Sequence, residues 1–461
     1  MSANLQACSF LIGRLRKEVV RLRAIAFPGH DTGPRKWLNF ISGLLDTASS
    51  YLTSAQVPSI PDSEVARLIK EAEHLGENVY QLLTYVAGAD STQIPHQVVA
   101  PFQRWVSGLG ITNTVFFRAE HLPNYELSRV DMRHAALLAG ASHSLVDATN
   151  SIVWPALRVS VPGHAMGLLP HFAVVGHELG HAIQDRINPD LMPFNQQIME
   201  AVNRAKDRLE LEAIPFGHEQ SLRVVAILGA WVNELKADAV AHHLVGPGFF
   251  FALCGFLELA GQGYGIAPTH PPTDMRRRLL FELLNQGSPS FASVFSDKTQ
   301  LVLTEEMNSP NVSRCFGADL MYAELKQSLG SVDAAVCIEL VPAVEAFAPK
   351  IFQAALSELQ TNSADLIYTP DQFATDLDLH LESLCHLVPP IEYRDGGKAT
   401  ACGLSTILNV GWAALLTRVD RFPAPKGIGP TEQVAARMEC LHELLLKAAE
   451  LSEARQLWEE Q

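Results

Sequence analysis

The sequence predicts a mainly α-helical protein of the α+β class, in which helical regions flank a small antiparallel β-sheet. Long segments near both ends carry apolar residues at three- and four-residue spacing, a pattern that gives a helix one apolar face. Between them lie two short stretches rich in β-branched and aromatic residues, each bounded by Gly, Asn or Pro, as strands commonly are.

The length and composition indicate a folded chain of several domains. At about 150 residues per domain, 461 residues correspond to roughly two to four units. Hydrophobic residues make up 48% of the chain and charged residues 18%, a balance that supports sizeable cores. From the changes of pattern we predict a helical region over 1–95, a core region over 96–290 and a second helical region over 291–461.

The first helical region is marked by the segment SEVARLIKEAEHLGENVYQLLTYV, which Pro61, Asp62 and Ser63 open as a start signal. Nearer the amino terminus, basic side chains interrupt the apolar positions, so we expect no signal peptide there. We interpret this segment as a helix with a solvated face, and weak peripheral contact with an anionic membrane stays open as the alternative. The basic residues are Arg14, Arg16, Lys17, Arg21 and Arg23.

The candidate strands are TNTVFFRAEHL at 112–122 and SIVWPALRVSVP at 151–162, which place a small sheet before the segment HFAVVGHELGHAIQDR. From about residue 290 the pattern becomes helical again, as in DAAVCIELVPAVEAFAPKIFQAALSELQ and EQVAARMECLHELLLKAAELSEARQLW. Because no internal repeat or low-complexity linker separates the regions, we expect them to pack together.

Charge, cysteine content and hydropathy exclude several classes of protein. A net charge of −15 disfavours nucleic-acid binding, which needs basic patches against phosphates. The seven cysteines form no C-x-x-C pair and are expected to be reduced thiols. The longest apolar run, LVGPGFFFALCGFLEL, is shorter than the ~20 residues of a spanning helix. We therefore predict no integral membrane segment and a cytoplasmic location.

The segment HFAVVGHELGHAIQDR at 171–186 contains the pattern H-E-x-x-H. His177 and His181 are four residues apart, so on a helix both imidazoles project from one face and can bind one metal ion. Gly180 lies in the middle of this helix, where glycine costs about 0.5–1 kcal/mol relative to alanine. We expect another backbone, an edge strand or a packing helix, to approach closely there.

A catalytic zinc ion usually takes three protein ligands, so a third ligand must come from elsewhere. The metzincin pattern is excluded, because Gln184 and Ile187 occupy the positions where it needs Gly and His. The helix in WVNELKADAVAHHLVG instead offers Glu234 and Asp238, which lie one turn apart on one face. Without the H-E-x-x-H motif, a salt bridge with Lys236 or Arg223, or a solvated position, would explain Glu234 as well as a metal site does.

A third segment, THPPTDMR, places His270 six residues before Arg276. Together HELGH, NELKAD and THPPTDMR resemble the gluzincin metallopeptidases of the CAAX prenyl protease and heat-shock membrane protease type. The resemblance covers roughly 171–280 and implies a zincin-like metallopeptidase core. Many of those relatives are embedded in membranes, whereas this sequence contains no spanning helix, so substrate and location do not carry over.

The resemblance implies a Zn²⁺ ion held by His177, His181 and Glu234. Asp238 would accept a ring N–H from His177 and fix its tautomer. His242 and His243, at the next turn, stay in reserve as ligands, because a lone helical histidine is more often structural.

The resemblance also implies a zinc-activated water, with Glu178 as the general base. His270 is the candidate donor to the negative charge that develops on the substrate, and Arg276 is expected to brace the site through a carboxylate. We further expect ALRVSVP at 156–162 to be an edge strand that aligns the substrate backbone.

These expectations predict a zinc-dependent endopeptidase that acts on protein or peptide substrates. The alternative is a catalytically silent zincin-fold protein that serves as a binding or regulatory module. Glu178 favours an active enzyme, since a scaffold needs the ligands but not the base. A helical interaction protein would require three chance motifs in the right order. The flanking helical regions carry no motif that indicates a substrate, a pathway or an oligomeric state.

Overall fold

The computed structural model describes most of the chain and divides it into two compact units. The units are residues 1–107 with 111–167, and residues 108–110 with 168–461. The division into 1–95, 96–290 and 291–461 cuts the chain at other points and stays a prediction. The described residues are 3–25, 27, 33–90, 93–121, 125–132, 143–163, 168–259, 265–303, 318–395 and 398–460.

The predicted class is confirmed: the described residues are mainly helical, with one three-stranded and one two-stranded sheet. The helices of the first unit are α1 (Ala3–Arg23), α2 (Gly33–Ser54), α3 (Asp62–Ala87), α4 (His96–Gly108) and α5 (His143–Asn150). Its strands are β1 (Val115–Glu120), β2 (Glu126–Val130) and β3 (Ala156–Pro162).

The first unit has its own core, in which α1, α2 and α3 pack side by side. In α1 the buried side chains recur at three- or four-residue spacing, so one face of the helix enters the core. They are Leu5, Cys8, Ile12, Leu15, Val19 and Leu22. The five basic residues of α1 are exposed, as expected for a solvated face.

The three-stranded sheet is mixed, whereas an antiparallel sheet was predicted, and it has the order β1–β3–β2. Strand β3 pairs in parallel with β1, with Leu157 opposite Val115, and antiparallel with β2, with Ser160 opposite Glu126. The expectation that 156–162 is an edge strand is therefore wrong. The short, polar β2 gave little strand signal, whereas β3 is buried along almost its whole length, as central strands commonly are.

The second unit contains the H-E-x-x-H segment, which enters α6 (Val175–Ile183) through a 3₁₀ turn at Leu169–Val174. The helices that follow are α7 (Asn195–Leu211), α8 (His218–Val245), α9 (Pro247–Leu259), α10 (Thr273–Leu284), α11 (Phe291–Thr299), α12 (Ala318–Leu329), α13 (Ser331–Asn362), α14 (Pro370–Cys385), α15 (Leu404–Thr417) and α16 (Pro430–Glu459). Strands β4 (Glu392–Asp395) and β5 (Lys398–Ala401) form an antiparallel hairpin.

Helix α8 is central to the second unit, because α6, α9, α10, α13 and α15 all pack against it. Its carboxyl-terminal half is almost entirely buried, including Trp231 and Leu235. The helix ends at Gly246, whose φ of 73° favours glycine. Asn409 on α15 links α8 to α9, since its amide donates to the Val245 carbonyl and accepts from the Gly248 N–H.

Two predicted absences concern membrane-spanning helices and disulfides. None of the helices described combines the length and the apolar character needed to cross a bilayer. Six of the seven cysteines are described, and no disulfide joins any of these six, as expected. The remaining one, Cys315, lies outside the described residues.

Candidate metal centre

The helix that carries H-E-x-x-H is fixed at its amino-terminal end by the last helices of the chain. The backbone N–H of Leu169 donates to Nδ1 of His442 on α16 at 2.9 Å. The indole N–H of Trp412 on α15 donates to the Pro170 carbonyl at 2.8 Å. Both bonds are buried and hold backbone groups in the turn that leads into α6, so α6 begins from a fixed position.

Gly180 lies where α6 crosses α8. A Cβ atom at this position would lie 2.7 Å from the Ala237 Cα and 2.9 Å from the Ala237 carbonyl oxygen. No side chain fits in that space, so only glycine lets the two backbones approach this closely. The backbone that approaches Gly180 therefore belongs to a packing helix. The crossing brings Glu234, one turn before Asp238 on α8, to the histidines of α6.

His177, His181 and Glu234 converge, as the motif predicted. The two histidine Nε2 atoms are 3.1 Å apart. Nε2 of His177 is 3.4 Å from Oε2 of Glu234, and Nε2 of His181 is 3.3 Å from Oε1. One ligand atom from each residue lies within 4.8 Å of the other two, an arrangement that could hold a metal ion.

The separations between the histidine nitrogens and the Glu234 carboxylate are close to those around a tetrahedral ion. Bonds of ~2.0–2.1 Å to nitrogen and oxygen place two ligand atoms of a tetrahedron about 3.3 Å apart. The two Nε2 atoms are 3.1 Å apart, and each is close to a different oxygen of Glu234, 3.4 Å from Oε2 for His177 and 3.3 Å from Oε1 for His181. The carboxylate group as a whole therefore lies near this distance from both rings. Oε2 of Glu234 is also buried and accepts no hydrogen bond from the residues described. A buried carboxylate oxygen in this state is suited to a cation.

Asp238 and Arg276 form a buried brace behind the ligands. Oδ1 of Asp238 lies 2.9 Å from Nδ1 of His177, on the side of the ring away from the convergence point. Arg276 on α10 donates through Nε and Nη2 to the two oxygens of Asp238, at 2.8 and 2.7 Å. Its Nη1 is 3.5 Å from Glu234. Arg276 is therefore placed as expected, braced against the site through a carboxylate.

Burial and neighbouring charges shift the pKa values of these groups in opposite directions. Burial alone would lower the pKa of His177, yet the contacts with Asp238 and Glu234 raise it to about 10. Burial would likewise raise the pKa of Glu234, but its histidine and arginine neighbours hold it well below the usual range. The cluster thus contains two ionised carboxylates, Glu234 and Asp238, whose negative charges favour a positive charge between them.

His181 is more exposed than His177, and its outer nitrogen faces a residue that sequence reasoning missed. Nδ1 of His181 is hydrogen-bonded to Oε1 of Gln184 at 2.9 Å. The backbone carbonyl of Gln184 accepts from Nζ of Lys236 on α8 at 3.2 Å. In the sequence, Gln184 served only as evidence against the metzincin pattern. Its spacing of three residues from His181 was the one signal that could have identified it.

His270 lies at the rim of the site, on a loop between α9 and α10. Its side chain is 51% exposed, and its Nε2 is 3.7 Å from Glu234. Reciprocal backbone hydrogen bonds between Ala267 and His270 close the loop, and the Trp231 indole donates to the Ala267 carbonyl at 2.8 Å. Burial lowers the pKa of His270, so its imidazole is neutral near pH 7.

Glu178 is buried on α6, immediately after His177, a member of the group that could hold a metal ion. Its negative charge is among the causes that raise the pKa of Arg276, so the carboxylate lies close to the brace. The reserve candidates His242 and His243 do not belong to the convergent group. The His242 ring instead packs edge-on against Phe291.

Comparison of the chain with protein-family models, with curated proteins and with solved structures finds no match in any of the three. A proposal about function therefore depends on the chemistry of the site. That site combines two imidazoles and one carboxylate around a common point, a second buried carboxylate beside them, and an arginine brace.

Proposed function

We propose that the protein is a zinc-dependent endopeptidase of the gluzincin type. The observation that carries the proposal is the convergence of His177, His181 and Glu234 from two crossing helices, with Glu178 next to the first ligand. Two nitrogens and one oxygen are a ligand set that catalytic zinc sites use, with the fourth position left to water or substrate. When bound there, zinc supplies Lewis acidity and lowers the pKa of water to about 7.

Glu178 is the proposed general base. It is adjacent to a ligand and is not itself part of the group that could hold the metal. Its carboxylate takes the proton of the attacking water and delivers it to the nitrogen of the leaving amine, the two tasks that peptide hydrolysis requires. The Glu178 carboxylate lies near the Arg276 guanidinium, whose pKa its charge helps to raise.

His270 is the proposed donor to the substrate oxygen that becomes negative. Its Nδ1 lies 2.9 Å from the hydroxyl of Thr269, which can donate to it and leave the proton on Nε2. A half-exposed imidazole at the rim is accessible to a bound peptide, and loss of one such donor typically costs ~10²-fold in rate.

We further propose a protein or peptide substrate and a cytoplasmic location. The location is supported by the six described cysteines, which form no disulfide and are mostly buried, as is common in reducing compartments.

The test is the substitution Glu178→Gln in the full chain, with an unfolded protein such as casein as substrate. We expect this variant to bind as much zinc as the unsubstituted protein and to lose ~10²–10⁴-fold in cleavage rate. The matched control is Glu219→Gln, because Glu219 follows His218 in a second His-Glu pair, which is exposed on α8. It should cleave normally.

Two results would contradict the proposal. If the unsubstituted chain takes up no zinc, the metal site does not exist. If it binds zinc but it and Glu178→Gln are equally inactive towards every protein substrate tried, the chain is a silent zincin-fold binding module.

A further inference from the structure

Each histidine ligand must be held in one tautomer. A neutral imidazole binds a metal through Nε2 only when its proton is on Nδ1, and an acceptor beside Nδ1 favours that form. For His177 the neighbour of Nδ1 is the Asp238 carboxylate at 2.9 Å. For His181 it is the side-chain amide of Gln184, also at 2.9 Å.

The orientation of the Gln184 amide decides which form His181 adopts. With Oε1 towards the ring, as in the structure, Nδ1 carries the proton and the Nε2 lone pair faces His177 and Glu234. With the NH₂ group towards the ring, the proton would lie on Nε2, where the three ligand atoms converge. Only the first orientation leaves His181 able to bind a metal.

Gln184 is kept in place by its position at the end of a helix and by one hydrogen bond to its backbone. Gln184 follows α6 directly, and Lys236 on α8 holds its backbone carbonyl at 3.2 Å. Lys236 is two residues after Glu234 on the same helix, so the helix that supplies the third ligand also anchors the residue that orients the second.

We propose that Gln184 is a positioning residue that fixes the tautomer of His181 and thereby sets the affinity of the site for its metal. This inference rests on the metal site of the proposed function, but it does not depend on the reaction. A neutral amide orients the imidazole without placing another negative charge beside Glu234 and Asp238, which are both ionised and buried.

The chemistry predicts a definite order of metal affinities. Gln184→Met keeps the approximate length of the side chain but removes the acceptor, so we expect the dissociation constant for Zn²⁺ to rise about 10- to 100-fold. Gln184→Glu keeps an acceptor and makes it negative. It should therefore bind Zn²⁺ at least as tightly as the unsubstituted protein.

The experiment is a competition titration of Zn²⁺ between the full chain and a chromophoric chelator. The control is Gln196→Met, which makes the same change at an exposed glutamine on α7 that hydrogen-bonds Glu200. Thermal melting in EDTA tests whether each variant folds as well as the unsubstituted chain without metal. Gln196→Met should leave both measurements unchanged.

The outcomes separate this inference from the proposed function. If the unsubstituted chain binds no Zn²⁺, the proposed function fails. If it binds, and Gln184→Met binds equally tightly, Gln184 does not position His181. If Gln184→Glu weakens binding as much as Gln184→Met in folded protein, the residue acts through its shape and the inference is overturned.

Discussion

At the scale of single residues, the site depends on charges that are buried together. Asp238 is fully buried and Arg276 is 4% exposed, and their two hydrogen bonds form a bidentate pair. A pair of this kind gains little over a hydrophobic pair of the same shape, but removal of one partner leaves an uncompensated buried charge. Arg276 is therefore expected to matter for folding as well as for the site.

We predict that Arg276→Met lowers the free energy of unfolding by about 3–5 kcal/mol, because Asp238 loses its partner. Urea denaturation in EDTA measures this without any contribution from metal. Arg278→Met on the same helix is the control, since the side chains of Arg278 and its partner Glu345 are 41% and 32% exposed and solvent-accessible pairs contribute at most about 1 kcal/mol. Equal losses in the two variants would show that the buried pair has no special role.

The residues of the site were predictable to different degrees. Four-residue spacing places His177 and His181 on one helix face, and Glu234 and Asp238 on another, before any tertiary structure is known. The roles of Glu234 and Asp238 followed only from the resemblance to the gluzincins. For Gln184 the only such signal, its three-residue spacing from His181, is weak. A glutamine three residues after a histidine is unremarkable on a helix surface, and its role depends on the anchoring of its backbone by Lys236 from another helix.

At the scale of the elements, the decisive contact is the crossing of α6 and α8 at Gly180. The two helices are separated in the chain by α7, and only their close approach brings Glu234 to the histidines. A mid-helix glycine in the sequence indicated that some backbone comes close. The partner could not be read from the sequence, because either a strand or a helix would explain the glycine.

We predict that Gly180→Ala destabilises the fold by about 1–3 kcal/mol and weakens Zn²⁺ binding, because its Cβ would meet the Ala237 backbone at 2.7–2.9 Å. Gly229→Ala on α8 is the matched control, since a Cβ there meets no atom within 4 Å. It should stabilise the protein by about 0.5–1 kcal/mol through helix propensity. Urea denaturation and chelator competition measure the two effects, and a gain of stability in Gly180→Ala would refute the close crossing.

The sheet illustrates what local sequence patterns leave undetermined. The stretches around β1 and β3 were recognisable from their apolar, β-branched residues, but β2 has the sequence ELSRV and little strand character. Its pairing with β3 comes from tertiary context, which also makes the sheet mixed. The periodicity of the sequence therefore could not predict that 156–162 is the central strand of the sheet.

At the scale of the whole molecule, the candidate metal centre lies entirely within the second compact unit, 108–110 with 168–461. Helical patterns identified the mainly α class, because long amphipathic segments report their own periodicity. These patterns do not indicate which helices pack into the same core. The boundary near residue 167 depends on such long-range contacts.

We predict that Zn²⁺ stabilises the folded chain by about 4 kcal/mol when its free concentration is a thousand times the dissociation constant. A metal that binds only the folded state shifts the unfolding equilibrium by this amount. Denaturation of the full chain with buffered Zn²⁺ and with EDTA measures the difference. Glu234→Ala should lose most of the gain. If it gains as much as the unsubstituted protein, the metal binds elsewhere, for example at an unpaired cysteine.

The anchoring of the turn before α6 has a consequence for the newly made chain. Leu169 finds its hydrogen-bond partner at His442, 273 residues further along, and Pro170 finds its partner at Trp412. A ribosome must therefore translate residue 442 before the histidine-bearing helix has both of these supports. During that interval the nascent polypeptide lacks the supports of the candidate metal centre, so we expect this centre to form only after residue 442 has left the ribosome.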